Sequence, residues 1–278
     1  MANTTAVANH YDGPDLTEAV FDAVRDAGLD PDRLDLDELT ALDEFHALGR
    51  PATVALAELV EIEPEMSVLD IGAGIGGPAR VLADRYGANV TALDATERFC
   101  RLNERLSQAT GLTERVRVVR GDALELPFAD ASYELGWVQA LLQNIVDKSR
   151  LVAEIARVLA PGGRLAIFEA VQGPGGPLRH FPVPWADDTS GSFVVPAAEL
   201  REVIAAAGLE ILVWNEGPAA QIEIIAAAAQ LPAPPENGLT LGLLMPNYEA
   251  RMEALAQNIA EQRIELLQVV AMKPIDGP

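Results

Sequence analysis

The feature that most constrains the fold is an alternation of short apolar segments with longer amphipathic ones between residues 67 and 170. The apolar segments have the length and composition of β-strands, and those between them have helical periodicity. This alternation predicts an α/β fold with a mostly parallel sheet, covered on both faces and binding ligands beyond the carboxyl ends of its strands. The predicted strands are 67–71, 89–93, 116–120, 133–138 and 164–170, and the predicted helices between them are 78–86, 97–109 and 149–159.

The segments on either side of this alternation predict a cap and a lid. Residues 1–50 contain twelve acidic residues and three arginines, and the apolar stripe in 15–27 predicts an amphipathic helix. We therefore predict a helical cap at 1–50 and a core at 51–278. A helix at 51–62 opens this core, a helix at 197–207 and a strand at 209–214 follow the alternation, and the last strand is predicted at 264–274. A helical insertion at 216–263, with the Pro-rich break LPAPPENG, is predicted to cover the binding edge as a lid.

A glycine-rich turn follows the first predicted strand, in the stretch SVLDIGAGIGGPARVLA. Two cofactor patterns fit it. Gly72, Gly74 and Gly77 satisfy the G-x-G-x-x-G of a dinucleotide site. Asp70 with Gly72, Gly74 and Gly76 spells D-x-G-x-G-x-G, which is typical of S-adenosylmethionine sites. The glycines alone therefore leave both NAD and S-adenosylmethionine open.

The acidic residues that end the strands favour S-adenosylmethionine. A dinucleotide would bring its pyrophosphate close to Asp70, and like unit charges about 4 Å apart at a partly buried site repel by on the order of several kcal/mol. S-adenosylmethionine has no phosphate, and its ammonium and sulfonium suit this carboxylate. Asp94 can accept from the ribose hydroxyls of either cofactor, and Asp122 can accept from the adenine amine. We assign Ala95 and Ala123, which follow these two acids, to the same site.

The composition excludes several classes of partner. The 278 residues include 42 acidic and 20 basic ones, and the net charge of −22 opposes binding to nucleic acid and to anionic membrane surfaces. This acidic excess is compatible with a solvated acidic surface, with adaptation to high salt or with attraction of a cationic substrate. Cys100 is the only cysteine, so we expect a packed side chain, no disulfide and no metal site. The sequence has neither a secretory signal nor a stretch of ~18 apolar residues, which predicts a cytoplasmic protein.

Four motifs carry a family resemblance. VLDIGAGIGG, VTALD, GDALELPF and RVLAPGGRLAIFE resemble, in order and spacing, the class I S-adenosylmethionine-dependent methyltransferases. DEFHALGRPAT, NIVDK, FPVPWA and NIAEQRIELLQ resemble the small-molecule branch of that family, which includes sarcosine, dimethylglycine and natural-product methyltransferases. The resemblance implies a Rossmann-like sheet whose last strand is antiparallel.

The same resemblance assigns residues around the methyl group. It implies that Phe45, His46 and Gly49 lie near the methionine end of the cofactor. It also implies that Trp137 and Gln139, after the fourth strand, line the transfer site.

The candidate catalytic residues are those that could take a proton from the acceptor. Neutral imidazole suits this role near pH 7, which makes His46 the first candidate and His180 the second. Tyr11 could hydrogen-bond an acceptor if the N-terminal arm closes over the site. Trp185 could contact a cation through its ring or could belong to the core. Many relatives have a histidine after the fourth strand, where this sequence has Ala140.

These observations predict an enzyme that transfers a methyl group from S-adenosylmethionine to a nitrogen, oxygen or carbon atom of a small molecule. In-line displacement in a closed pocket needs alignment above all. The alternative, motivated by Ala140, is a methyltransferase-like enzyme that keeps its cofactor intact and catalyses a cyclisation or another reaction of a natural product. An NAD-dependent oxidoreductase is the third hypothesis, and Asp70 argues against it. The acceptor stays open, and so does the oligomeric state, which includes the option of a homo-oligomer.

Overall fold

The computed structural model describes residues 13–233 and 235–275. Seven strands form one sheet in the order β3-β2-β1-β4-β5-β7-β6. Their bounds are β1 Ser67–Ile71, β2 Asn89–Asp94, β3 Val116–Arg120, β4 Tyr133–Gln139, β5 Leu159–Gln172, β6 Glu210–Glu216 and β7 Ile264–Met272.

Helices precede the sheet and connect most of its strands. The bounds are α1 Thr17–Asp26, α2 Thr40–Asp43, α3 Arg50–Glu58, α4 Gly77–Tyr86, α5 Glu97–Ala109, α6 Lys148–Val158, α7 Ala197–Ala206, α8 Pro218–Ala228 and α9 Tyr248–Ala260. Short 3₁₀ helices lie at Leu36–Leu39, Leu142–Asn144 and Leu241–Leu243. Among the described residues, no helix is long and apolar enough to cross a membrane.

The sheet has the predicted direction of strands. β1 pairs in parallel with β2 and β4, β2 with β3, and β4 with β5. β7 lies antiparallel between β5 and β6. The prediction of a mostly parallel class I sheet with an antiparallel last strand is therefore confirmed.

Both faces of the sheet are buried, as the apolar strands require. In β1, Leu69 and Ile71 belong to the cluster under α6 and α7, whereas Val68 belongs to the cluster under α3, α4 and α8. Successive side chains of a strand point to opposite faces, so a strand covered on both sides is a continuous apolar run. Asp70 interrupts this run, and its position near the carboxyl end of β1 brings it to the ligand-binding edge.

Several predicted boundaries are wrong by a few residues. The helix predicted at 51–62 ends at Glu58, because the chain then turns and Glu61 takes a left-handed backbone conformation (φ 54°). β5 is longer than the predicted 164–170: α6 stops at Val158, and Leu159 is already extended (ψ 136°). β6 continues to Glu216, so the insertion predicted to begin at 216 starts after that residue.

The N-terminal elements pack on α5 and on the insertion. Val20 and Phe21 of α1 share a buried cluster with Leu102 and Leu106 of α5 and with Leu244. The wholly buried Arg80 of α4 donates to the carboxylate of Asp43, which lies at the end of α2. These contacts hold the acidic N-terminal region beside the glycine turn. The division into cap, core and lid stays a prediction.

Candidate active site

A cavity of about 200 Å³ opens at the carboxyl ends of the parallel strands. Asp70 of β1, Asp94 of β2, Gln139 of β4 and Glu169 of β5 all line it. These four strands are neighbours in the sheet, and β3, which pairs with β2 at the edge, contributes Asp122 from the loop after it. One row of polar side chains therefore follows the sheet edge across five strands.

The opposite wall of the cavity is apolar. The insertion contributes Met245, Met252, Leu255 and Ile259, and Trp185 closes the wall from the loop after β5. In the described part of the chain, no lysine or arginine lines the cavity. The site therefore combines a carboxylate-rich floor with an apolar cover.

Asp94 and Asp122 are oriented by backbone amides. Asp94 accepts from the N–H of Gly74 and from the N–H of Thr96, both at 2.8 Å. Burial raises the pKa of Asp94, and these two N–H groups act in the opposite direction. Asp122 accepts from the N–H of Leu124 at 2.8 Å. Both carboxylates are thereby held with further acceptor capacity, since a carboxylate oxygen accepts more than one hydrogen bond.

Asp70 is buried in an environment that opposes its charge. Burial raises its pKa to about 8, and the negative charges of Asp94 and Glu44 act in the same direction. Its Oδ2 atom is inaccessible to solvent and has no hydrogen-bond partner among the described residues. A buried charge without a partner is costly, so this carboxylate is matched to a cation that enters the cavity.

The glycines of the turn have different reasons to be glycine. Gly72, Gly74 and Gly76 all have positive φ values, which side chains disfavour. A Cβ at Gly74 would enter open space, whereas a Cβ at Gly72 would lie 2.8 Å from the side chain of Leu141. Gly76 does not line the cavity, and a Cβ there would lie 2.1 Å from Oδ1 of Asn103. Glycine at position 76 therefore allows α4 to pack closely on α5, and the assignment of Gly76 to the cofactor stays a prediction.

Trp137 lies in the core and not at the cavity, where the sequence predicts it. Its side chain is 0% exposed, belongs to the core cluster under α3 and α4, and does not line the cavity. Its Nε1–H donates to Oε1 of Gln139 at 2.7 Å. Since a tryptophan N–H can only donate, this bond fixes the orientation of the Gln139 amide. Nε2 of Gln139 then remains buried without a partner within the described chain.

His46 lines the cavity, but its ring nitrogens face the protein. Nδ1 lies 3.1 Å from the carbonyl oxygen of Ala47, and Nε2 lies 2.9 Å from Oε2 of Glu44. Burial opposes the charge of Glu44, yet the hydrogen bond and charge of His46 bring the pKa of this carboxyl below its usual value. Nε2 also lies 3.1 Å from Oγ1 of Thr53. Both ring nitrogens are therefore engaged by groups of the protein itself.

His180, the second catalytic candidate, is not brought into the cavity. Nε2 of this residue lies 2.8 Å from Glu261, next to the end of α9. Tyr11 lies outside the described residues. Gly49 precedes α3 and does not line the cavity, whereas Phe45, Ala95, Ala123 and Trp185 do.

Sequence reasoning missed Glu169 and Gln143. Glu169 ends the apolar part of β5 within the quoted motif RVLAPGGRLAIFE, just as Asp70 and Asp94 end β1 and β2. An acid at the end of a buried strand was therefore a usable signal. Gln143 lies in the 3₁₀ helix after β4, and no sequence pattern marks it.

The residues present fit S-adenosylmethionine. Asp122 and Asp94 offer acceptors for the adenine amine and the ribose hydroxyls. The unpartnered Oδ2 of Asp70 suits the ammonium, and the unpartnered Nε2 of Gln139 suits the carboxylate of the methionine portion. A pyrophosphate in the same cavity would face five carboxyl groups and no lysine or arginine among the described lining residues.

Known proteins resemble this chain in sequence. Residues 69–167 match the model of the methyltransferase domain family. The glycine/sarcosine/dimethylglycine N-methyltransferase of Actinopolyspora halophila is 39% identical over 108 residues, which are 39% of this chain and 19% of that protein. Methyltransferase GfsG of Streptomyces halstedii is 32% identical over 166 residues, or 59% of this chain and 58% of that protein. The matched stretch thus spans less than two thirds of either relative.

The resemblance extends to solved structures. The crystal structure of the [4+2]-cyclase SpnF has a TM-score of 0.62 and 25% sequence identity, and the match covers 81% of each chain. Together with the sheet order, these matches show that residues 69–167 form a methyltransferase domain and that the chain has the fold of the class I S-adenosylmethionine-dependent methyltransferases.

Proposed function

We propose that this protein transfers a methyl group from S-adenosylmethionine to a small, mainly apolar acceptor. One observation supports the proposal above all: Asp70 lines a cavity at the carboxyl edge of a class I sheet, and its buried Oδ2 has no partner in the described chain. A cationic ligand with adenine, ribose and amino-acid parts fits the donors and acceptors of this edge.

The residues of the chain bind S-adenosylmethionine and align its methyl group with the acceptor. When bound, S-adenosylmethionine supplies an electrophilic methyl group. Asp122 and Asp94 hold the nucleoside, while Asp70 and Gln139 hold the two ends of the amino acid. The apolar wall of the insertion excludes water, and fixed alignment in a dry site lowers the barrier to displacement by as much as ~7 to 11 kcal/mol in favourable cases.

The lining of the cavity supports an apolar acceptor over a small amino acid. The relative from Actinopolyspora halophila is named for glycine, sarcosine and dimethylglycine, which all carry a carboxylate. Here the described lining includes no lysine or arginine, and both ring nitrogens of His46 are engaged. We therefore propose a larger apolar acceptor of the kind made in natural-product biosynthesis. We also propose that the enzyme works in the cytoplasm, which its single free cysteine supports.

Calorimetry tests the cofactor. Titration with S-adenosylhomocysteine is expected to give saturable binding, and titration with NAD is expected to give none. Tight binding of NAD without binding of S-adenosylhomocysteine would overturn the proposal.

Mass spectrometry tests the transfer. Incubation with S-adenosylmethionine and a library of apolar phenols and amines is expected to give products heavier by one methylene unit. The structural match to a [4+2]-cyclase makes cyclisation the second candidate. An isomer of unchanged mass, formed with no loss of S-adenosylmethionine, would favour that candidate.

A further inference from the structure

Two further residues that line the cavity keep an unpartnered acceptor atom once the cofactor has been assigned its contacts. These atoms are Oε1 of Gln143 and Oε2 of Glu169, which are both inaccessible to solvent. Both residues line the same cavity as Asp70 and Gln139. The cofactor assignment uses neither of them.

The orientation of each group is set by its other contacts. Nε2 of Gln143 donates to the carbonyl of Ala140 at 3.0 Å, which leaves the amide oxygen as the free atom. Oε1 of Glu169 accepts from the N–H groups of Leu141 and Leu142, both at 2.6 Å. These bonds attach the start of the 3₁₀ helix after β4 to the end of β5. Oε2 of Glu169 takes no part in that attachment.

The strand order puts Glu169 on the acceptor side. The nucleoside residues lie on β2 and after β3, and Asp70 lies on β1. Glu169 lies on β5, two strands beyond β1, which at about 4.8 Å per strand is roughly 10 Å across the sheet. Its neighbour β7 contributes Ile264 and Leu266 to the apolar wall. Glu169 thus lies away from the nucleoside residues, on a strand next to one that contributes apolar residues to the cavity.

We infer that Glu169 and Gln143 form the polar subsite for the methyl acceptor, and that Oε2 of Glu169 binds its proton-bearing oxygen or nitrogen. Because both free atoms accept hydrogen bonds, the subsite selects an apolar molecule with one hydroxyl or amine and disfavours an anion. This inference rests on the proposed function and names its substrate class.

The same contact provides a group that can take the proton of the acceptor. The acceptor heteroatom forms a bond to the methyl carbon, the carbon–sulfur bond breaks with its electron pair on sulfur, and the proton moves to Oε2 of the ionised Glu169 carboxylate. Burial raises the pKa of Glu169 to about 8, against the effect of two backbone N–H groups and of Lys148. A carboxyl of this pKa is a better match for a phenol or an amine than an ordinary glutamate.

An apolar carbodiimide tests the placement of Glu169 without an identified acceptor. Dicyclohexylcarbodiimide adds to protonated carboxyl groups that it reaches through apolar surroundings, and peptide mass spectrometry locates the adduct. At about pH 6.5, below the raised pKa values, the empty protein is expected to be labelled at both Asp70 and Glu169. In the complex with S-adenosylhomocysteine, labelling is expected to persist at Glu169 and to fall at Asp70.

Two controls separate this result from general reactivity. Glu44 is equally buried, but both its oxygens have partners, so it is expected to stay unlabelled. Glu169→Gln keeps an oxygen for Leu141 and Leu142, so we expect loss of the adduct with S-adenosylhomocysteine affinity within about twofold of the parent. An unlabelled Glu169, or one protected fully by S-adenosylhomocysteine, would overturn the subsite. Failure of S-adenosylhomocysteine to bind in calorimetry would instead overturn the proposed function.

Protection experiments test the substrate class in the complex with S-adenosylhomocysteine. The probes are 2-naphthol, 2-naphthylmethylamine and naphthalene, which share one apolar skeleton. If the subsite selects hydroxyls, the naphthol alone should protect Glu169 from labelling. If it selects amines, the amine alone should do so. Equal labelling with all three probes contradicts the requirement for a hydrogen-bond donor.

Discussion

At the scale of single residues, two carboxyl groups at the sheet edge are not fully satisfied by the described chain, and we propose that a ligand completes their hydrogen bonds. Asp70 and Glu169 are each 2% exposed or less, and each keeps an oxygen without a partner in the described chain. Groups of this kind cost stability, and they persist where a bound molecule completes them. Glu44 and Asp43, by contrast, are buried with their partners in place.

Asp70→Asn is expected to weaken binding of S-adenosylhomocysteine by roughly 10- to 100-fold, because a charge-assisted hydrogen bond contributes about 1.5–3 kcal/mol. Calorimetric titration measures the change. Asp26→Asn, a substitution on the exposed part of α1, is the control and is expected to leave the affinity unchanged. An unchanged affinity in the Asp70 variant would contradict the assignment of the ammonium.

The pH dependence of binding follows from the raised pKa of Asp70. The ammonium pairs with the ionised carboxylate, whereas below about pH 8 the carboxyl of the empty site is mostly protonated. Binding must then release a proton, so the association constant is expected to rise with pH by up to about tenfold per unit between roughly pH 6 and 8 and to level off above that range. Titrations in buffers of different ionisation enthalpy check the proton release. A slope that survives in Asp70→Asn would point to another group.

At the scale of elements, two glycines in the turn between β1 and α4 have different surroundings. Gly74 lines the cavity and faces open space, while Gly76 faces Asn103 of α5. Within one loop, glycine therefore leaves the cavity open at position 74 and allows close packing of α4 on α5 at position 76.

Alanine at these two positions is expected to have different effects. Gly74→Ala should cost about 1–2 kcal/mol of stability, because alanine disfavours a positive φ, and should weaken S-adenosylhomocysteine binding more than tenfold by placing a methyl in its cradle. Gly76→Ala should lower the free energy of unfolding by more, since its Cβ overlaps a side chain that also accepts from Arg80. Urea unfolding and calorimetry on both variants give the comparison. Equal losses of stability would contradict it.

The attachment of α2 to α4 depends on a buried ion pair. Arg80 donates to Asp43, to the carbonyl of Ile75 at 2.6 Å and to Oγ of Ser107 at 3.1 Å. Arg80→Met is expected to destabilise the protein by about 3–5 kcal/mol, because it leaves a buried carboxylate without its cation. The double variant with Asp43→Leu should recover a substantial part of this loss. A double-mutant cycle by urea unfolding measures the coupling, and additive losses would contradict it.

At the scale of the whole molecule, the acidic charge is distributed over surface and site. The net charge is −22, and twelve of the acidic residues precede residue 51. Self-repulsion of such a charge destabilises the compact state, and dissolved salt screens it.

Salt is therefore expected to stabilise the protein. Between roughly 0.05 and 1 M sodium chloride, the free energy of unfolding should rise by about 1–2 kcal/mol, as measured by urea titration. A variant with Glu114→Lys and Glu202→Lys, at two exposed positions without ion pairs among the described salt bridges, should show a smaller rise. A stability that falls with salt would show that attractive ion pairs dominate the surface.

Most of the fold could be predicted from the sequence because local features of the chain specify it. Apolar runs of strand length, helical periodicity between them and glycines at the turn each depend on neighbouring residues only, and β1, β3 and α5 have the predicted bounds. The acids of the cofactor side were readable for a similar reason. An Asp at the end of a buried strand breaks an otherwise apolar pattern, and parallel strands bring such ends together.

Tertiary structure alone decided which of the remaining candidates reach the cavity. Trp137 and Gln139 are both on β4, yet one is packed in the core and orients the other. His180 pairs with Glu261 across 81 residues of sequence, and Gln143 is left with a free oxygen by its bond to Ala140. Such outcomes depend on contacts between residues far apart in the chain and on whether each buried polar atom finds a partner. Periodicity and spacing carry no information on either, so the sequence determined the sheet and its cofactor edge, and packing determined the acceptor side.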